Sequence, residues 1–384
     1  MTTMEGDDVA LKLLHTADWH LGRRFPSFDP NDQITLSRAR LDVLDKILKA
    51  ADYNNVDAIL CAGDLFDEPS PDREWWEPVA RKLAAQRSDR PIFLLPGNHD
   101  PLQSGSIYEK THPFRGLLPR WVHVVDQDDF TFKLNDVATL YARPCRSRAG
   151  QDDPAMALPA RAEGDGGIRI GMVHGSTFDA IDCQINFPIA KEAAAVRGFD
   201  YLAIGDTHSF RNVPLDARPP VVYPGAPEAT TFGEPGAGNV VAVFVSRSRK
   251  VDFRPERVAA WTWIERAVRS VAELRDLHAD SQLSRCVVRL SVDLHLSAPE
   301  FEEAERLLSE LKGTSAVHGR IGVLQIERER MALNTRGIEQ ELTDLPDVLR
   351  ATVQRLQALE SGDQAEVARA ALYHLYKLVR EARA

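Results

Sequence analysis

Short apolar runs that stop abruptly in small polar clusters constrain this chain more than any other feature of it. Val9 to His15 reads as a strand, and Ile34 to Ala51 sets Leu36, Val43, Leu44, Ile47 and Leu48 on one helical stripe. A strand over Ala58 to Ala62, a helix from about Trp75 to Arg87 and a strand over Pro91 to Leu95 follow. This alternation specifies a layered α/β domain. In open α/β sheets ligands bind outside the carboxyl ends of the strands, and each polar cluster here stands at such an end.

Gln151 to Gly167, rich in Ala, Asp, Gly and Pro and without periodicity, reads as a mobile surface loop. Strands resume at Ile168 to Val173, Tyr201 to Ile204 and Val221 to Tyr223, then a hairpin pairs Val240–Val245 with Val251–Phe253 through a basic turn. At 384 residues the chain exceeds the roughly 250–300 at which one core stops growing, so a second unit is expected. It starts near Trp261. There Cys286 to Leu294 alternates like a half-buried strand, Ser297 and Glu300 spell a capping box for a helix ending near Lys312, and Ile321 to Ile326 is a further strand. Two helical runs around Ser361-Gly362 end the chain as a helical hairpin. The expected division is 1–258, a small β-α-β domain over 259–333, and a helical 334–384.

Net charge of -10 is the wrong sign for holding nucleic acid by bulk electrostatics, so a local feature or a partner must supply that contact. No apolar run approaches the ~18 residues of a membrane span. The acidic start lacks the cationic region of a secretory signal, which leads to the expectation of a cytoplasmic protein. Cys61, Cys145, Cys183 and Cys286 form no C-x-x-C pair, and neither a zinc knuckle nor a disulfide framework is encoded.

The five clusters are His15-Thr-Ala-Asp18-Trp-His20, Gly63-Asp64-Leu-Phe-Asp67, Gly97-Asn98-His99-Asp100, His174-Gly-Ser176 and Gly205-Asp206-Thr-His208. They mix carboxylate, imidazole and amide oxygen with glycine, and no phosphate-binding glycine loop or Ser/His/Asp nucleophile pattern competes with them. Together they can supply a binuclear metal site: carboxylate and amide oxygens suit manganese or magnesium, and imidazole suits zinc and iron. The other histidines, His112, His123, His278, His295, His318 and His374, join no motif and read as structural or surface residues.

The order D-x-H, GD, GNHD, H, G-x-x-H resembles the calcineurin-like metallophosphoesterase superfamily from about Leu11 to Phe253. Within it, HTADWHLG, AGDLFD and LPGNHD look like the DNA repair nuclease subunits of the SbcD family, as does Tyr223-Pro-Gly-Ala-Pro-Glu228. The resemblance implies an α/β fold, a layered β-sandwich flanked by helices, with the β-α-β unit as a cap. It implies two manganese ions, magnesium or another divalent metal being possible. Asp18, His20 and His208 would hold one, Asn98, His174 and Asp206 the other, and Asp64 would bridge. Two such cations activate a hydroxide and clamp the phosphate for in-line displacement. His99 would protonate the departing oxygen or stabilise the transition state. The family usually spells G-H-x-H where this chain has Gly205-Asp206-Thr207-His208, a change that biases the second position toward hard cations. Asp67 stands where some relatives carry His.

The expected activity is therefore metal-dependent DNA phosphodiester hydrolysis, exonuclease or endonuclease. The rivals are a small-nucleotide phosphodiesterase or phosphatase, and a non-catalytic scaffold of an ATPase complex. Implied partners are DNA, an SMC-like ATPase of the SbcC type docking on the C-terminal helices, and a second copy in a homodimer; no membrane is involved. Trp75-Trp76 reads first as helix packing and second as a dimer contact, and the basic stretches Arg143–Arg148 and Ser246–Lys250 read first as solvated turns and second as phosphate contacts.

Overall fold

The computed structural model describes residues 9–86, 89–177, 186–314, 317–318, 320–333, 345–359 and 361–383. Two compact units divide at Thr262 and Trp263. In the first, β1 (Val9–Thr16), β2 (Ala58–Cys61), β3 (Ile92–Leu94) and β4 (Val122–Val124) alternate with helices α1 (Pro30–Tyr53), α2 (Arg73–Ala84) and α3 (Pro113–Leu117). Then come β5 (Phe130–Lys133), β6 (Ala138–Ala142), β7 (Ile168–His174), α4 (Ala193–Arg197), β8 (Tyr201–Gly205), β9 (Arg211–Asn212), β10 (Val221–Tyr223), β11 (Asn239–Ser246) and β12 (Val251–Arg257).

The strands build two six-stranded mixed sheets, ordered β12-β11-β1-β2-β3-β4 and β5-β6-β7-β8-β10-β9. Strands β1 to β4 run parallel, with Leu13 opposite Ala58 and Ile59 opposite Ile92, and β2 is buried at every residue, as a parallel strand covered on both faces must be. The sheets share one apolar seam: Leu11, Leu13, Leu60 and Phe93 from the first meet Leu140, Ile170, Met172 and Tyr201 from the second. Outside it, α1 and α2 lay Leu44, Ile47, Val79 and Leu83 on Leu14 and Ile59. Helix α1 starts where Asp29 accepts the Asp32 amide at 3.1 Å and Pro30 opens the first turn. The layered α/β sandwich flanked by helices is the architecture expected.

The segment 151–167 has no helix or strand, yet it is not loose. Ala155 and Leu158 are buried against Val173 and Phe199, and Arg161 bonds the carbonyls of Gly198, Asp165 and Gly167 at 2.8–2.9 Å. Trp76 lies in the core and Trp75 packs over Gly22, so helix packing accounts for the tryptophan pair.

The second unit contains β13 (Thr262–Val268), α5 (Val271–Ala279), β14 (Cys286–Leu296), α6 (Ala298–Lys312), the short β15 (Gly313–Thr314) and β16 (Val317–His318), and β17 (Val323–Leu333). Strands β14 and β17 pair in parallel across the crossover helix α6, whose capping box closes with Glu300 accepting the Ser297 amide at 2.9 Å. Helices α7 (Asp347–Leu359) and α8 (Ala365–Arg383) form a hairpin around Leu345, Val353, Leu372 and Tyr376, with Phe301 of α6 4.6 Å from the Tyr373 ring. The expected boundary at 333/334 lies outside the described residues.

Candidate metal centre

Five loops from the carboxyl ends of β1, β2, β3, β7 and β8 bring all eight residues of the sequence-derived set to one edge of the sandwich. Ligand-capable atoms of Asp18, His20 and His208 lie within 4.8 Å of one another, as do those of Asp18, Asp64 and His174, and of His20, Asp64 and His99. Asn98 joins through its Oδ1, 2.8 Å from His174 Nε2, and Asp206 Oδ1 stands 3.8 Å from the same nitrogen. Asp18, His20, Asp64 and His174 are buried, while the His99 side chain is 40% exposed at the mouth.

The backbone is strained to achieve this. Asp18, His20, Asp64 and Asp206 have φ of 56°, 45°, 52° and 100°, a region that non-glycine residues seldom occupy and that costs ~1–3 kcal/mol each. Cross-loop bonds hold it: Asp18 N donates to Gly63 O and His20 N to Asp64 O, both at 3.0 Å, and Asp206 N donates to Asp18 Oδ1 at 2.9 Å. The motif glycines make room for the side chains. A Cβ on Gly63 would stand 2.0 Å from His174 Nδ1, and one on Gly97 would stand 2.1 Å from Asp64 Oδ1. Asp100, fully buried, ties the GNHD turn by accepting from Gly97 N, Phe66 N and Tyr108 Oη, each at 2.8 Å.

The donor set fits divalent cations. His20 Nε2 and His208 Nε2 lie 3.0 Å apart, while His20 Nδ1 bonds Asp67 at 2.9 Å and His208 Nδ1 bonds Glu234 at 2.7 Å. With each ring proton on the carboxylate side, two lone pairs confront each other, an arrangement that a cation relieves. Among the described residues no lysine or arginine pairs with Asp18, Asp64 or Asp206; Asp64 stands 3.7 Å from the His20 imidazole and 3.4 Å from that of His174, and accepts the His99 amide at 2.9 Å. Burial pushes the Asp18 carboxyl up to about 7 against the pull of His174 and His208. Asp64 goes the other way: burial would raise it, but His174, His20 and His99 together hold it well below the carboxylate range. His174, despite burial, is pushed up by Asp64, Asp18 and Asp206.

The family model described as Calcineurin-like phosphoesterase matches residues 11–210, more than half of the chain, and so takes in every one of these loops. The chain belongs to the calcineurin-like phosphoesterases. It is accordingly a metallophosphoesterase, a hydrolase of a family that typically holds two metal ions. Among its relatives, the uncharacterized metallophosphoesterase YhaO of Bacillus subtilis is 25% identical over 71% of this chain and 66% of its own length. The SbcD subunit of the SbcCD nuclease of Rhodobacter capsulatus is 32% identical over 49% of this chain and 45% of its own, so the chain spans less than two thirds of either relative. A solved structure, TT1561 of Thermus thermophilus, overlays 65% of this chain and 99% of its own at 15% identity and a TM-score of 0.37.

The calcineurin-like phosphoesterase centre also uses Glu234, Thr230 and Arg40, which the sequence motifs do not include, and Ser176, which they include without a role. Glu234 and Thr230 stand behind His208, Ser176 donates to Asp206 Oδ2 at 2.8 Å, and buried Arg40 bonds the carbonyls of Trp19 and Ala229 at 3.0 and 2.5 Å. Glu234 sits in Thr-Thr-Phe-Gly-Glu-Pro-Gly, which carries no local chemical spelling; only the fold brings it to His208. Three of the remaining histidines do structural duty. His112 caps α3, His123 lies between Phe93 and Phe132, and His278 pairs with Glu310. Of the basic stretch, Arg143 and Arg146 both pair with Asp128, at 3.6 and 2.8 Å. No helix among the described residues is long and apolar enough to cross a membrane.

Proposed function

We propose that this phosphoesterase is a DNA phosphodiesterase, a nuclease similar to the SbcD subunits. The observation that carries the reading is the division of labour at the centre: a buried donor set with one exposed imidazole at its mouth. Asp18, His20 and His208 would hold one cation and Asn98, His174 and Asp206 the other, with Asp64 shared between them. When bound, the two cations, manganese in the working form, supply charge neutralisation for an in-line displacement at phosphorus. His99 Nδ1 donates to the Asp67 carbonyl at 3.1 Å, which fixes the ring, and the imidazolium form would give its Nε2 proton to the leaving oxygen of the ester. Arg148, exposed in the segment that follows β6, would offer a cation to a phosphate backbone, offsetting the acidic net charge locally.

DNA as substrate is supported by the likeness to the SbcD subunits of the SbcCD nucleases of Rhodobacter capsulatus and Escherichia coli. The same likeness suggests an SMC-like ATPase partner. Val348, Val367 and Leu378, each 63% exposed or more on α7 and α8, give it an apolar surface. Assays with manganese on labelled DNA and on a generic phosphodiester test the reading, with and without an ATPase partner. Cleavage of both supports it; cleavage of the generic ester but never of DNA refutes it in favour of a small-nucleotide phosphodiesterase.

A further inference from the structure

We infer that the two cation positions are unequal by construction, and that Asp67 and Glu234 are positioning residues that make the Asp18–His20–His208 position the tighter one. The inference rests on the two-cation assignment above but not on DNA as the substrate. In formal charge the nearest donors do not separate the positions, although one has two imidazoles and the other one imidazole and an amide. Each has one carboxylate of its own, Asp18 or Asp206, and each shares Asp64.

The difference lies one bond further out. Behind His20, Nδ1 meets Asp67 Oδ1 at 2.9 Å, and Arg23 holds the same oxygen at 3.3 Å. Behind His208, Nδ1 meets Glu234 Oε1 at 2.7 Å. Glu234 is itself pinned, its Oε2 accepting the Thr230 amide at 2.7 Å and its Oε1 the Thr230 hydroxyl at 2.5 Å. Arg40, buried, bonds the Trp19 and Ala229 carbonyls and so clasps this loop to the turn carrying Asp18 and His20. Both imidazoles of this position are therefore aimed by an anion.

At the other position the single imidazole, His174, donates Nδ1 to the Ala62 carbonyl at 2.8 Å. A carbonyl fixes the tautomer but adds no charge. Asn98 is a neutral donor, and one oxygen of Asp206 is engaged by the Ser176 hydroxyl at 2.8 Å. A carboxylate behind a ligating imidazole orients it and raises its basicity, and losing such a partner weakens metal binding about 10–100-fold. Two such partners on one side and none on the other predict ordered loading, first at Asp18–His20–His208.

Manganese titration of the chelator-stripped full chain, without substrate, tests this. The expected wild-type result is two steps at least about tenfold apart, with the spin-echo modulation of the first equivalent showing two imidazole nitrogens. Glu234→Gln, and separately Asp67→Asn, should weaken the tight step by about 10–100-fold and move the weak step by less than about threefold. Ser176→Ala should shift only the weak step. Thermal unfolding in chelator establishes that each variant folds; because the two carboxylates sit on different loops, one can carry the test if the other variant misfolds. Two equal steps in wild type, a first equivalent with one imidazole, or variants that leave the tight step unmoved would overturn the inference. A wild-type protein that binds no manganese overturns the cation assignment as well, whereas failure to cleave DNA touches only the nuclease reading.

Discussion

Replacing Gly63 by alanine isolates what the glycines contribute to this centre. Gly63 has φ of +102°, and the added Cβ would stand 2.0 Å from Nδ1 and 2.6 Å from Cγ of the fully buried His174 ring. Two costs add. Holding a side chain at that φ takes about 1–3 kcal/mol, and forcing a methyl into a packed interior takes about another 1–3 kcal/mol. The total of about 2–6 kcal/mol is a large share of the ~5–15 kcal/mol that stabilises a typical domain. Gly105 provides the internal control, with φ of +78° but nothing within 4 Å of an added Cβ, so Gly105→Ala bears only the first cost. Denaturant unfolding of the chelated proteins gives the stability difference, and metal stoichiometry with hydrolysis of a generic phosphodiester reports the centre. The expected order is wild type, Gly105→Ala, Gly63→Ala in stability, with metal and activity lost only in the last. If Gly63→Ala matches Gly105→Ala and keeps two metals, the close approach of His174 does not explain the glycine.

His99→Ala should keep its metal content yet lose about 10² to 10⁴ in rate, the range of a positioned proton donor; a near wild-type rate would remove it from the mechanism. Asp206→Ala should lose one of two manganese ions and most activity, whereas Asp206→His should keep both positions and shift preference toward zinc; metal analysis across manganese, magnesium and zinc decides it. His15 supplies a pH prediction. Burial pushes its imidazole down to about 3, and its Nε2 is buried without a hydrogen-bond partner among the described residues. The unfolded chain takes up that proton first, so the stability from neutral His15 is complete above pH 6.5 and falls by about 1.4 kcal/mol per pH unit as pH drops from 6.5 toward 3. His15→Gln should flatten that slope in chelator, and equal slopes for the two proteins would disprove the assignment.

The parts of the molecule legible in the sequence are those whose burial is one-sided or complete. The stripe Leu36 to Leu48 and the runs Ala58–Ala62 and Ile168–Val173 announce themselves because each lies against a core. Phe130–Lys133 and Thr262–Val268 do not, because both are edge strands with exposed residues, and their partners lie on other strands rather than in their own pattern. The strand expected to end at Ile326 continues to Leu333, through Glu-Arg-Glu-Arg, since pairing with Cys286–Leu296 outweighs the polar composition. At the centre, residues with a motif were found; Glu234, Thr230 and Arg40 were not, because each acts through a neighbour that only the closed sandwich supplies.

The centre straddles the seam of the sandwich. Asp18, Asp64 and Asn98 come from one sheet, and His174, Asp206 and His208 from the other. Cations held there would act as rivets between two layers, binding the folded chain and not the unfolded one. A position filled at a hundred times its dissociation constant adds about 2.7 kcal/mol to folding. The lifetime of this protein would thereby be coupled to the free metal around it, scarcity thinning the population of intact molecules as well as idling those that remain.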